Sequence, residues 1–153
     1  MKYKNIAIIA NNTKSAQSTL TEIQKIHHFI SLELKPSVHT DLDLIIVLGG
    51  DGFMLHCLHS YMHLNIPIYG INCGTVGFLL NPYHPNEIIE RINNALATTT
   101  YPLEMTAHMN NGQSKTQLAI NEVSLFRKSN QAAKIRINID GATRMPELIC
   151  DVV

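Results

Sequence analysis

The chain has 153 residues, 45% of them hydrophobic and 16% charged, with 12 Lys or Arg balanced by 12 Asp or Glu. That length suits one domain, or one small domain plus part of another, and the apolar share can fill a core, which excludes a disordered chain. Neutral net charge without a Lys/Arg cluster excludes a general nucleic-acid or membrane-surface footprint, and no apolar stretch approaches the ~18–20 residues that span a bilayer.

Lys2 and Lys4 precede only a short apolar run, Ile6 to Ala10. This reads as a first strand covered on both faces, not as a signal peptide. Asn11-Asn12-Thr13 is turn chemistry suited to capping a helix. Leu20, Ile23, Ile26 or His27, Ile30 and Leu34 recur at helical spacing, and Lys35-Pro36-Ser37 is expected to end that helix. Leu44 to Leu48 is a second buried strand. Met54, Leu55, Leu58, Tyr61 and Met62 form the stripe of a second helix, expected to start near Phe53. Pro67 to Asn72 is a third strand. Pro85 fits a helix first turn, with Ile88, Ile89, Ile92, Ala95 and Leu96 on one face. Strand–helix alternation to about residue 98 predicts a parallel, helix-covered sheet.

From Thr98-Thr99-Thr100-Tyr101-Pro102 the pattern changes. Leu103 to Met109, Gln117 to Arg127 and Lys134 to Ile139 read as strands, with hairpin signals at Asn110-Asn111-Gly112 and Asp140-Gly141. The expected class is α/β: a Rossmann-like parallel-sheet domain over 1–100, then the first strands of an incomplete β-sandwich over 101–153. Some fifty residues make too few strands for an independent core. The last run, Leu148 to Val153, looks like the middle of a strand. Cys57, Cys73 and Cys150 are odd in number and lack paired metal spacing, so they read as buried thiols in a reducing compartment, the cytoplasm.

The chemistry concentrates at Gly49-Gly50-Asp51-Gly52. Gly49 and Gly50 open backbone angles closed to other residues and let an anion approach the main chain. The helix that follows aims amide N–H groups at the same spot. The loop sits at the carboxyl end of a strand, where open sheets bind ligands. A carboxylate repels phosphate, so Asp51 reads as a base for a hydroxyl or as a partner of a magnesium ion. The competing account is a tight turn whose aspartate caps a helix, which needs Asp but not three flanking glycines. The segment is neither a Walker loop nor a GxGxxG fingerprint.

This loop resembles the GGDG motif shared by NAD kinases, phosphofructokinases and the diacylglycerol and sphingosine lipid kinases. Gly70-Ile71-Asn72-Cys73-Gly74-Thr75-Val76-Gly77-Phe78-Leu79 resembles the NAD kinase segment G-[IV]-N-x-G-x-[LV]-G-F-L. Ala119-Ile120-Asn121-Glu122 resembles that family's A-[LI]-N-E signature. The resemblance implies phosphoryl transfer from ATP, or polyphosphate in some members, to the 2′-hydroxyl of the adenosine ribose of NAD, with magnesium or another divalent ion. It assigns Asp51 as the catalytic base. Gly49, Gly50 and Gly52 would shape the phosphate loop. NAD would be bound by Asp51, Gly52, His56, Phe78, Asn121, Glu122 and Asp151, with Asn121 and Glu122 on the ribose hydroxyls. It also implies a homodimer or homotetramer, with the NAD site completed by a neighbouring subunit.

Bland accounts stand beside several of these. Phe78 could be ordinary core, and His56 could point elsewhere. His27, His28, His59 and His63 read as solvated or half-buried helix positions with no metal pattern. Lys134 and Arg136 could meet phosphates but read as surface charge. The family continues past Asp151 with a glycine, where this chain has Val152, and then T-x-x-G-[ST]-T-A-Y. Residues 1–153 alone are therefore expected to bind NAD weakly. Two other readings compete. A diacylglycerol-type lipid kinase would show P-x-G-T-x-N-D after the third strand. A non-catalytic nucleotide-binding or assembly module would bind NAD without forming NADP, and open strand edges would invite another chain.

Overall fold

The computed structural model describes residues 2–34 and 41–153. The chain divides into two compact units, Met1–Tyr101 and Pro102–Val153.

In the first unit the order is β1 (Ile6–Ala10), α1 (Lys14–Ile26), β2 (Ile30–Ser31), β3 (Leu44–Gly49), α2 (Asp51–Tyr61), a 3₁₀ turn (Met62–Leu64), β4 (Ile68–Asn72), β5 (Asn81–Pro82) and α3 (Ile88–Asn94). The strands form one parallel sheet in the order β2-β1-β3-β4-β5. Every residue of β3 is buried, as a central parallel strand requires. Alternation along the strands splits the core into two layers. Ile6, Ile8, Leu44, Ile46, Leu48 and Ile71 pack with Ala16 and Ile23 of α1 and Ile88 and Ile92 of α3. Ala7, Ile9, Ile45 and Val47 pack on the other face with Met54, Cys57 and Tyr61 of α2. Strand order reverses between β1 and β3, so the loops after these two strands flank the crevice where such sheets bind ligands.

Thr13 caps α1, its hydroxyl accepting the Ala16 N–H at 3.3 Å. The helix stops at Ile26, well short of the expected Leu34. His27 is extended, Ile30 pairs with Ala7, and the Leu32 N–H donates to the Ile8 carbonyl at 2.9 Å. The open edge of β1 thus takes up backbone groups that the apolar spacing assigns to a helix. The expected stop at Lys35-Pro36-Ser37 lies outside the described residues. In α2, Cys57 joins Met54 and Tyr61 as a buried position, while Met62 falls in the 3₁₀ turn. Burial pushes the Cys57 thiol up to about 12, as for an inert core thiol. α3 is shorter than its apolar pattern: Pro85 lies in the preceding turn, Ala95 is an extended cap, and Leu96 is 96% exposed.

Asp43 joins the amino ends of β1 and β3. Its Oδ2 accepts the Lys4 and Asn5 N–H groups at 2.8 and 2.9 Å, and its own N–H donates to the Asn5 carbonyl. The Asn5 and then the Lys4 amide hold this carboxyl below its ordinary value of 3.8. A lowered folded-state value stabilises above the unfolded value, and that gain is lost as pH falls through the folded one. Asp43→Asn is therefore expected to lower the melting temperature by a constant amount at neutral pH. The difference should shrink below pH 3.8, on melting curves taken from pH 7 to 2.5; a difference independent of pH would refute the assignment.

The second unit holds two antiparallel hairpins: β6 (Leu103–His108) with β7 (Ser114–Ala119), and β8 (Ala133–Ile139) with β9 (Ala142–Cys150). Asp140 and Gly141 both have positive φ, 51° and 76°, the signature of a two-residue hairpin turn. Pro146, which has no N–H to donate, falls where the β8–β9 register shifts. The strand expected over Gln117 to Arg127 ends at Ala119. Asn121 lies in a bend and Glu122 follows it without strand structure, and Phe126 forms an isolated bridge with Val152. The final apolar run likewise leaves β9 at Cys150.

Candidate active site

The carboxyl ends of β3 and β4 lie side by side, with Gly49 opposite Asn72 in register. Each strand opens into a glycine-bearing segment, so two loops meet at one point of the sheet. The Cys73 N–H donates to the Gly49 carbonyl at 2.9 Å, and Ser15, at the start of α1, donates its hydroxyl to the Cys73 carbonyl.

Helix α2 begins at Asp51, two residues before the expected start, so the carboxylate belongs to its first turn. Gly50 is the cap, with φ −114° and ψ 179°, and its carbonyl accepts the Phe53 and Met54 N–H groups at 3.0 Å. This corrects the reason expected for the glycines. Positive φ among glycines is found at Gly112 and Gly141, not in this loop. Gly49 is needed for room, because a Cβ there would stand 2.9 Å from Phe53 Cδ1. A Cβ on Gly50 or Gly52 would meet nothing within 4 Å. The space around those two glycines is thus open, and the first-turn amides of Asp51 and Gly52 lack intrahelical acceptors.

The Asp51 carboxylate is clamped by the second loop. The Phe78 N–H donates to Oδ2 at 2.9 Å and Oδ1 at 3.1 Å, and the Leu79 N–H to Oδ1 at 3.1 Å. Two main-chain donors use only part of the acceptor capacity of a carboxylate, so Asp51 is oriented and can still accept a hydroxyl proton. Phe78 is 91% exposed, which removes the ordinary-core account of this ring. Its amide is fixed on the carboxylate while the ring, like the Val76 and Leu79 side chains of the same loop, leaves apolar surface exposed.

Asn72 and Gly77 are the residues sequence reasoning missed. Asn72 Oδ1 accepts the Gly74 N–H at 2.8 Å, and a Cβ on Gly77 would lie 3.2 Å from the Asn72 amide and 3.3 Å from Asp51 Oδ1. The Asn-x-Gly spacing was a visible turn signal. His56 is exposed on α2, roughly 140° around the helix axis from Asp51.

The remaining candidates lie in the second unit. Asn121 and Glu122 are exposed in the segment after β7. The Asp151 carboxylate accepts from Arg127 Nε, which commits it to an ion pair. Lys134 pairs with Glu147 at 3.3 Å, in keeping with a surface charge. Among the described residues no group of three or more His, Cys, Asp or Glu side chains is placed to hold a metal ion, and no helix is long and apolar enough to cross a membrane.

A doubly wound sheet whose glycine-bearing loop delivers an oriented carboxylate to the first turn of a helix belongs to the class of α/β folds in which anionic ligands are received at the carboxyl ends of the strands. Residues 2–101 match the family described as ATP-NAD kinase N-terminal domain, and the chain belongs to the NAD kinase family. It is 46% identical over 151 residues to the NAD kinase of Rickettsia bellii and 44% identical to that of Rickettsia rickettsii, in each case across 99% of this chain and 56% of the relative. The chain thus spans about half the length of the curated relatives it matches. Its fold is shared with an NAD kinase from Archaeoglobus fulgidus solved in complex with ATP (TM-score 0.65, 23% identity, 96% of this chain and 58% of that one). It is shared too with yeast NADH kinase solved with NADH (TM-score 0.66, 18% identity, 99% and 57%).

Proposed function

We propose that the protein transfers the terminal phosphoryl group of ATP to the 2′-hydroxyl of the adenosine ribose of NAD, forming NADP, with Asp51 as the base. The observation that carries this reading is the clamped Asp51 carboxylate at the bare edge of the Gly50–Gly52 loop. An alcohol must lose its proton as it attacks phosphorus, and a fixed carboxylate is suited to take it. The bare loop amides would receive phosphate oxygens, and the exposed Phe78 ring would stack on the adenine. Gly52, His56, Asn121, Glu122 and Asp151 complete the proposed NAD contacts, with Asn121 and Glu122 on the ribose diol.

Magnesium is proposed as carried on the ATP phosphates, since such an ion keeps several waters and takes one or two carboxylates, and Asp51 is the carboxylate at the loop. Bound there it would neutralise charge on the transferring group. The setting proposed is the cytoplasm, supported by three free cysteines, and the assembly a homodimer or homotetramer.

The protein expressed at its full gene length, incubated with ATP, magnesium and NAD, is expected to produce NADP, read by a coupled NADP-specific dehydrogenase. ATP consumption without NADP, or phosphorylation of a lipid alcohol instead, would sink the assignment.

A further inference from the structure

Resting on the reading of Asp51 as the base, we propose that Asn72 is a positioning residue: its side-chain amide fixes the second loop so that the Phe78 and Leu79 amides stay on the Asp51 carboxylate. Asn72 is the last residue of β4 and pairs in register with Gly49, the last residue of β3. Its backbone is therefore as fixed as the sheet. From that anchor, Oδ1 takes the Gly74 N–H at 2.8 Å and closes the turn through Cys73.

The same side chain backs the far end of the loop. A Cβ built on Gly77 would lie 3.2 Å from Asn72 Cγ and Nδ2 and 3.3 Å from Asp51 Oδ1. A side chain there would press on both the amide and the carboxylate, and glycine leaves that space clear. Beyond Gly77 the chain turns its next two amides onto Asp51. Cys73 and Leu80 at the ends of the segment pack on the two core layers, and Gly49 and Ser15 hold Cys73 by hydrogen bonds. Between those ends Val76 and Phe78 are 70% and 91% exposed, and there Asn72 supplies the contact to Gly74. Asn72 acts through the loop and not on substrate.

The test is made on the protein at full gene length, with hydrogen exchange and steady-state kinetics read together. Asn72→Ala should speed exchange of the Phe78 and Leu79 amides about tenfold or more, while the amides of β3 stay protected. It should lower kcat about tenfold or more and leave KM for ATP within about twofold, while KM for NAD rises because Phe78 lies on the loosened loop. Asn72→Ser, whose hydroxyl can accept the Gly74 N–H, should recover most of both. Unchanged exchange at Phe78 and Leu79 in folded Asn72→Ala overturns the proposal, whatever reaction the protein catalyses. So does a serine variant no better than the alanine one. Should Asn72→Ala fail to fold, Asn72→Leu decides: it keeps the volume and removes the acceptor for the Gly74 N–H, and unchanged exchange at Phe78 and Leu79 in it would overturn the proposal. A parent protein that forms no NADP refutes the kinase reading instead, and the exchange comparison still decides the role of Asn72.

Discussion

Asp51→Asn should lower NADP formation by the full-length protein about 10²- to 10⁴-fold, the range spanned by a positioned general base. The substitution is nearly isosteric. The asparagine oxygen can still accept from the Phe78 or Leu79 amide, so the loops should stay closed. What is lost is the capacity to take a proton from an attacking hydroxyl. The loss should therefore fall on kcat, with KM for ATP nearly unchanged and a melting temperature close to the parent's. A variant retaining more than about a tenth of parental kcat would remove Asp51 from the role of base.

The second large effect is on stability. Ile46 lies at the centre of β3, opposite Ile8 on one side and Tyr69 on the other, with no exposed surface. Ile46→Ala should destabilise the protein by about 2–5 kcal/mol, from lost burial and the cavity left behind. Small domains are stable by only about 5–15 kcal/mol, so this is a large share. Urea unfolding followed by circular dichroism would measure it. A loss under about 1 kcal/mol would show that the site collapses or that the strand is less central than its burial indicates. Ile46 packs in the core layer of α1 and α3, on the opposite face of the sheet from α2 and Asp51, so kcat per folded molecule should be affected far less than stability.

The elements of the first unit were legible where local and tertiary preferences agree. Leu44 to Leu48 has no polar residue to place and reads as a buried strand in either context. Ile30 shows the opposite case. Its spacing from Ile23 and Ile26 is helical, but the vacant edge of β1 offered hydrogen bonds that spacing does not encode. Leu96 continued an apolar face on paper, yet α3 ends before it. In the second unit, Val123 and Leu125 lengthened an apparent strand that the bend at Ile120 and Asn121 interrupts.

The site was legible to a different degree. Asp51 and its flanking glycines stood out because few structural needs gather those residue types. The reason for the glycines did not: it is clearance around Phe53 and a bare main chain, and no backbone angle closed to other residues. The clamp on Asp51 was invisible, since its donors are amides 27 and 28 positions away and any residue but proline carries one. Phe78 was ambiguous for a related reason. An aromatic side chain gives no sign of whether its ring or its amide is the working part.

The pairing of Gly49 with Asn72 has one more consequence. A strand that slipped by one residue during folding would turn its buried side chains to the opposite face and, in the same movement, carry its loop about 3.3 Å past its neighbour. Because β3 is buried on both faces, such a slip would exchange one apolar face for another, so burial alone does little to oppose it. The alignment of the two loops therefore rests on the hydrogen bonds at the strand ends, the Cys73 N–H on the Gly49 carbonyl among them.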